Sequence, residues 1–397
     1  MLLTARETAE RLGVKLDTLY AYVSRGLLRS VEVPDSRERG YRPEDVEHFR
    51  TKRGAARAVR GTGTEALMPV IGSSICLIEG GRLYYRGYDA IGLAETATLE
   101  DVATLLWQTA ETPSRSAPHP GPLPAGGARE DPAPREGEAR LGLIERCQVR
   151  LARLAAADPG ALDLSRVGIA RTGRLILAEL AACVGDAAAA AEPAHRLLAG
   201  QWRLDAAGGD LVRRCLVLLA DHELNASTFV ARCVASTGAT PYAVVSAALS
   251  ALSGRRHGGA SARAEALFHE IARGDTPMAA MAARLARDDD LPGLGHPLYP
   301  DGDPRAVAIV EAISVARPQA GARVAAAAIA AMQLTSQYPN VDFALGATTL
   351  TLGLPQGSAL GLFLVARTVG WIAHAIEQYE SGILIRPRAR YTGPRPG

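Results

Sequence analysis

No stretch of this chain approaches the roughly 18 uninterrupted apolar residues of a membrane span, so no membrane partner is expected. The opening residues Met1–Glu7 lack the apolar centre of a signal peptide. Cysteine is scarce and unpatterned. The five are Cys76, Cys147, Cys183, Cys215 and Cys233, an odd number without a C-x-x-C pair. That excludes a disulfide frame and a structural zinc site, and it fits a reducing compartment. A cytoplasmic protein without a metal is the expectation. Lysine is nearly missing, with only Lys15 and Lys52, which reads as compositional bias. A strong net charge is missing too, at +2. Its distribution is uneven. Residues 1–60 hold 13 Lys or Arg against 9 Asp or Glu, and the remainder holds 31 against 33. Any attraction to a polyanion therefore sits at the N-terminus.

What is present is an ordinary globular composition, 48% hydrophobic and 22% charged over 397 residues. That length supports two or three domains. Residues 1–52 read as a separate unit, 53–66 as a linker, and 67–397 as the main body. In the first unit, Thr4 and Glu7 have capping-box spacing, which predicts a helix over Ala5–Leu12 ended by Gly13. A second short helix follows over Lys15–Ser24. Leu27–Val33, a turn over Pro34–Gly40 and Tyr41-Arg42 read as a small wing, and Pro43 opens a third helix.

In the main body, Pro69–Tyr88 alternates around Glu79-Gly80-Gly81, a hairpin signal. Thr112–Arg140 holds seven prolines and almost no large apolar residue, so it reads as a disordered insertion, and its His119 is discounted. From Leu141 onward, Ala- and Leu-rich helical patterns dominate. Gly or Pro breaks fall near 159, 185, 208, 254, 274, 292, 318, 339 and 355. The class is mainly α.

One loop stands out. Pro292–Arg305 is dense in Gly and Pro between two helical segments. It carries His296, which can hydrogen-bond or protonate a carbonyl. It also carries Arg305, which can clamp a carboxylate. Together they suggest a small keto acid. Five further clusters, at 220–228, 253–260, 338–343, 366–374 and 385–391, are ambiguous alone. His257 precedes Gly258-Gly259 and a new helix, where the helix dipole favours a neutral ring suited to a developing enolate. Asp342 reads either as a helix N-cap or as a general base. His222 reads as a core histidine. Arg367 lies on an apolar helix and needs an anionic partner.

The N-terminal residues Ala9–Val14, Thr18-Leu19-Tyr20, Gly26-Leu27-Leu28 and Gly40-Tyr41-Arg42 resemble the winged helix-turn-helix of the mercury-resistance-regulator (MerR) and excisionase group. That resemblance implies DNA binding, with Lys15, Thr18, Tyr20 and Tyr22 near the major groove and Arg37, Arg39 and Arg42 on phosphates. The open alternative is a helical module used for packing or association.

The main body carries Arg82–Tyr88, Asp221–Thr228, His257–Ala260, Gly293–Arg305, Tyr338–Phe343, Ala366–Trp371 and Arg386-Pro387-Arg388 in this order. Taken together they resemble the citrate synthase family. The resemblance implies a two-domain helical fold, with a large part over 67–258 and 354–397 and a small part over 259–353 that closes on substrate. It implies condensation of acetyl-CoA, or a close acyl-CoA, with oxaloacetate, a step of the tricarboxylic acid cycle. Acyl-CoA would be a co-substrate, and no cofactor would stay bound. Asp342 would take the α-proton, His257 would hold the thioester oxygen, and His296 would protonate the oxaloacetate carbonyl. His222, Arg305 and Arg367 would bind oxaloacetate. Arg386 would reach the partner subunit's site, which implies a homodimer.

His48, His195, His269 and His374 match no substrate role and read as structural or solvated. Pro297–Asp301 lacks the basic residue the family usually places beside the CoA phosphates, which predicts weaker CoA binding. Two alternatives stand beside the synthase. One is a DNA-binding regulator that uses the synthase-like part as a metabolite sensor. The other is a related reaction, 2-methylcitrate synthesis or citryl-CoA cleavage.

Overall fold

The computed structural model describes residues 2–12, 16, 19, 23, 30–32, 39–43, 45–46, 71–109, 141–274, 276–389 and 391–394. The linker 53–66, the insertion 112–140, His48, and Lys15, Thr18, Tyr20, Tyr22 and Arg37 lie outside the described residues. The chain divides into two compact units, Met1–Gly72 and Ser73–Gly397.

In the first unit the helix runs Ala5–Leu12, as the Thr4/Glu7 pair predicts. Thr4 N and Oγ1 both donate to Glu7 Oε2, at 2.8 and 2.9 Å, and Glu7 N donates back to Thr4 Oγ1 at 3.2 Å. The wing is a short antiparallel pair, Val31–Glu32 with Arg39–Gly40, and Leu3 bridges to Tyr41 beside it. Ala9, Leu12, Leu19, Tyr41 and Val46 form a small apolar core. Arg39 and Arg42 are exposed.

The second unit opens with a three-stranded antiparallel meander, Cys76–Glu79, Arg82–Tyr85 and Tyr88–Asp89. Gly80 and Gly81 form its two-residue turn, both at positive φ (58° and 73°), which is why the Gly-Gly pair marks a hairpin here. The other regular elements among its described residues are helices. The break expected near 208 lies earlier: Asp205 caps a helix over Ala206–Leu219, and Gly208 N donates to its carboxylate.

The Ser358–Ser381 helix corrects the expectation about apolar runs. An 18-residue window of it has a mean hydropathy of 1.6, enough by length and composition to cross a membrane. That window is 94% buried inside the fold. A helix apolar on every side needs covering on every side. Here Leu99–Trp107, Arg166–Gly185, Ala206–Leu219, Ala226–Ala235 and Pro241–Leu252 do so. Trp107 Nε1 ties down the Val369 carbonyl at 2.9 Å. Gly370 lets the 220–221 backbone approach. A Cβ there would lie 2.3 Å from Asp221 Oδ2 and 2.5 Å from the Ala220 carbonyl oxygen.

A second group of helices comprises Gly258–Arg273, Pro277–Leu285, Pro304–Ala316, Pro318–Thr335 and Val341–Leu352. Gly258–Arg273 and Val341–Leu352 cross closely. A Cβ on Gly346 would stand 2.8 Å from the Ala264 backbone. Phe268 and Phe343 meet edge-to-face across the crossing, 4.8 Å between centroids.

Candidate active site

Three of the candidate residues sit at helix N-termini, each for a local reason. His257 occupies the N-cap position of Gly258–Arg273. Glycine must follow it, because a Cβ on Gly258 would fall 2.5 Å from the Leu252 carbonyl oxygen. Asp342 lies in the first turn of Val341–Leu352, but it is not the cap. Asn340 is: its side chain accepts from Asp342 N at 2.9 Å. The carboxylate is therefore left free for other work. Arg305 follows Pro304 in a helix capped by Asp303.

The Gly/Pro loop is stitched to the turn before Asp342. Leu294 bridges to Pro339. Gly295 N donates to the Tyr338 carbonyl at 2.8 Å, and Asn340 Nδ2 donates to the Gly295 carbonyl at 2.9 Å. Gly293, at φ 84°, allows the contact, since a Cβ there would be 2.8 Å from Phe343 N. This brings the segment of His296 against the segment of Asp342.

Asp303 is the hub between them. Oδ1 accepts from Arg305 N and Nε, at 3.1 and 2.9 Å. Oδ2 accepts from Arg305 Nη2 at 2.8 Å and from Val341 N at 3.0 Å. Burial opposes its charge, but the Arg305 guanidinium outweighs that and holds the carboxyl below the usual range. Arg305 and Asp303 are 2% and 1% exposed, so this is a fully buried fork-on-fork pair.

Arg367 differs. It is 1% exposed, its Nε donates to the Leu219 carbonyl at 2.9 Å, and its Nη1 has no partner. Burial and the Arg305 charge lower its pKa, partly offset by Asp221. Its guanidinium lies over the Phe363 ring at 4.8 Å, and the same ring meets His257 edge-to-face at 5.7 Å.

The three histidines are held neutral. Burial lowers His257 to about 4, with Arg367 adding to it. Burial and the charges of Arg305 and Arg367 push His222 well below its ordinary value. Burial and Arg305 lower His296. For His257, the one histidine whose neutrality the sequence tied to the helix dipole, burial and the Arg367 charge act in the same direction. Leu298 N donates to His296 Nδ1 at 3.2 Å, so the remaining ring proton is on Nε2. His257 Nε2 lies 2.8 Å from Ser227 Oγ, which also donates to Asn225 Oδ1 and accepts from Trp371 Nε1. Burial raises the pKa of Asp342, while Ser261 Oγ, donating to Oδ1 at 2.5 Å, works the other way.

Several of these residues carried no distinct signal of their own. Ser227, Asp303 and Tyr299 lay inside recognisable clusters and Ser261 just after one, yet only packing shows what each touches. Asp303 had the one readable cue, an acidic residue directly before Pro at a helix start. His374, read as structural or solvated, is fully buried. Its Nε2 faces Asp221 Oδ2 at 3.3 Å, and its Nδ1 faces Arg232 Nη1 at 3.1 Å. Arg386 lies in the extended tail after Ser381, exposed and without a hydrogen-bond or ion-pair partner among the described residues. The described residues hold no group of three or more His, Cys, Asp or Glu side chains able to bind a metal.

A family model described as citrate synthase, C-terminal domain, matches residues 179–388. One described as MerR HTH family regulatory protein matches residues 3–55. The chain is 36% identical over 189 residues to citrate synthase 2 of Bacillus subtilis (strain 168), a match covering 46% of this chain and 50% of that protein. It spans about half the length of this and other curated relatives it matches. A longer match, 29% identical over 355 residues, is to the 2-methylcitrate synthase of Shewanella oneidensis, covering 80% and 91% of the two chains. Among solved structures, the ternary complex of carboxymethyl coenzyme A and oxaloacetate with citrate synthase from Thermoplasma acidophilum superimposes with a TM-score of 0.59. The identity is 25%, over 83% of this chain and 95% of that one.

Proposed function

The chain belongs to the citrate synthase family, and on that premise we propose that it condenses an acyl-CoA with oxaloacetate and releases CoA. The observation that carries this is the pair of buried arginines. Arg305 is neutralised by Asp303, whereas Arg367 has an unpartnered nitrogen, and its charge helps keep His222 and His257 neutral. A buried cation left without a full partner calls for an anionic ligand. Oxaloacetate brings two carboxylates.

The chemistry then divides among named groups. The α-proton of a thioester is weakly acidic, so its removal needs a base and a stabiliser of the enolate oxygen acting together. Asp342 is the base, and burial makes its carboxylate more basic. His257 holds the thioester oxygen through Nδ1, which is a donor when the Ser227 hydroxyl hydrogen turns from Asn225 to His257 Nε2. His296 presents Nε2–H to the keto carbonyl and donates that proton as the new C–C bond closes. His222, Arg305 and Arg367 bind the keto acid. Water then hydrolyses the citryl thioester, so acetyl-CoA, oxaloacetate and water give citrate and free CoA. Residues 259–353 act as a mobile part whose closure excludes water. The enzyme works in the cytoplasm as a dimer, with Arg386 reaching the partner's site.

Thiol release with oxaloacetate and either acetyl-CoA or propionyl-CoA tests this and reads the preferred acyl chain. Asp342→Ala should abolish release and leave oxaloacetate binding intact. Tight oxaloacetate binding with no CoA released from any donor would refute the synthase.

A second reading is favoured by one observation, the MerR match over 3–55 with its capped helix and wing. The first unit binds DNA, with Arg39 and Arg42 as phosphate contacts. Anisotropy of a labelled duplex from the gene's own upstream region, at two salt concentrations and with or without oxaloacetate, checks it. Absence of salt-sensitive binding would leave the unit as an association module.

A further inference from the structure

Arg367, Gly370 and His374 follow one another at i, i+3 and i+7, so they share one face of the Ser358–Ser381 helix. The 219–221 backbone lies against that face. Arg367 Nε donates to the Leu219 carbonyl at 2.9 Å, and Gly370 N donates to the Ala220 carbonyl at 3.1 Å. The missing side chain of Gly370 leaves a notch that holds the Asp221 carboxylate, with Arg367 one turn before it and His374 one turn after. Asp221 and His374 are both fully buried.

The ring hydrogen of His374 can be placed. Its Nδ1 lies 3.1 Å from Arg232 Nη1, and an arginine nitrogen can only donate. Nδ1 is therefore an acceptor, and Nε2 carries the hydrogen. Nε2 faces Asp221, 3.4 Å from Oδ1 and 3.3 Å from Oδ2. Arg232 is itself fixed, donating to Glu377 Oε2 at 2.5 Å and to Gln378 Oε1 at 2.9 Å. His374 is thus anchored from behind and aims its N–H at the carboxylate.

The carboxylate acts on Arg367 without gripping it. Burial lowers the pKa of Arg367, and the Asp221 charge works against that. Yet Asp221 Oδ2 and Arg367 Nη1 both lack a hydrogen-bond partner. Asp303 behaves differently, since it occupies two nitrogens of Arg305. If Asp221 swung onto Arg367 in the same way, it would close that arginine to an incoming anion.

We propose that His374 is a positioning residue for keto-acid binding: its Nε2–H holds the Asp221 carboxylate in the Gly370 notch, where it balances the charge of Arg367 and stays off the free Nη1. The inference rests on the oxaloacetate reading above, and it leaves the direct contacts of His222, Arg305 and Arg367 as given there.

Calorimetric titration of the full-length protein with oxaloacetate tests it, using wild type, His374→Asn, His374→Gln, Asp221→Asn and the double variant Asp221→Asn/His374→Asn. Asparagine can put a polar atom where Nδ1 stands but is too short to reach Asp221. Glutamine can put an N–H where Nε2 stands. His374→Asn should weaken oxaloacetate binding about tenfold, the size of one hydrogen bond to a charged group, whereas His374→Gln should stay within about threefold of wild type. Asp221→Asn should bind at least as tightly as wild type, because no carboxylate is left to compete for Arg367. In that background, adding His374→Asn should cost less than about twofold. In turnover, His374→Asn should raise the oxaloacetate KM and leave the acyl-CoA KM unchanged. Wild-type affinity in His374→Asn would overturn the proposal. So would an equal loss in His374→Gln, or an equal loss with and without the Asp221 carboxylate, since a residue that only fills space behaves that way. If His374→Asn does not fold, weakened binding in Asp221→Asn overturns the proposal by itself. Wild type that binds oxaloacetate but releases no CoA would refute the synthase and leave the His374 comparison readable. Wild type that binds no oxaloacetate would refute the reading on which the proposal rests.

Discussion

Ser261→Ala tests whether Asp342 is the base. Ser261 is 1% exposed, and its hydroxyl donates to Asp342 Oδ1 at 2.5 Å. That bond favours the ionised carboxylate, against a burial effect that favours the proton. A hydrogen bond to a charged group contributes roughly 1.5–3 kcal/mol. Each pH unit corresponds to about 1.36 kcal/mol. Without the hydroxyl, Asp342 holds its proton more tightly. The acid limb of kcat/KM should therefore move to higher pH by about one to two units. Initial rates of CoA release from pH 5 to 9 read this directly. Above the new limb the rate should stay within severalfold of wild type, since the base is stronger once formed. An unmoved limb, or a rate lost at every pH, would refute the role given to Asp342. Stability has a matching sign. A carboxyl raised in the folded state binds more protons folded than unfolded, so its contribution falls as pH rises through that interval. Ser261→Ala should melt closer to wild type at pH 4 than at pH 8.

Gly370→Ala should destabilise the second unit by about 1–3 kcal/mol, because its methyl would meet Asp221 and the Ala220 carbonyl; calorimetric melting within error of wild type would contradict the close packing. Arg255 and Arg256 are exposed just before His257, and they are candidates to replace the cations missing from Pro297–Asp301. The acyl-CoA KM should be high for the family and should rise further in the double alanine variant, whereas a low and unchanged value would sink that idea. His257, lowered to about 4, should show no imidazole titration by NMR between pH 5 and 9; a midpoint near 6.5 would mean a wetter site.

The helical class, the hairpin at Gly80-Gly81 and the first helix were legible because each has a local cause: periodicity, a positive-φ pair, a capping box. The order of the clusters carried the family. What stayed hidden was set by partners far apart in sequence. Asn340 rather than Asp342 caps its helix, since both residue types suit the role and only geometry chooses. Tyr299 reads as an ordinary loop aromatic until the fold brings His222 to it. Likewise the Ser358–Ser381 helix shows its burial only when its neighbours are in place, and composition alone cannot separate it from a membrane span.

That helix also has a consequence for how the protein is made. The hydrogen bonds it forms close very long loops: Ser74 to Glu377 spans 303 residues, and Trp107 to Val369 spans 262. Neither can form until the final part of the second unit has left the ribosome. The first unit can finish early, on local contacts alone. The second must wait with its apolar surfaces uncovered, and high contact order makes its closing step slow. Truncation shortly before residue 358 should therefore yield an aggregating chain, with no smaller folded enzyme left behind.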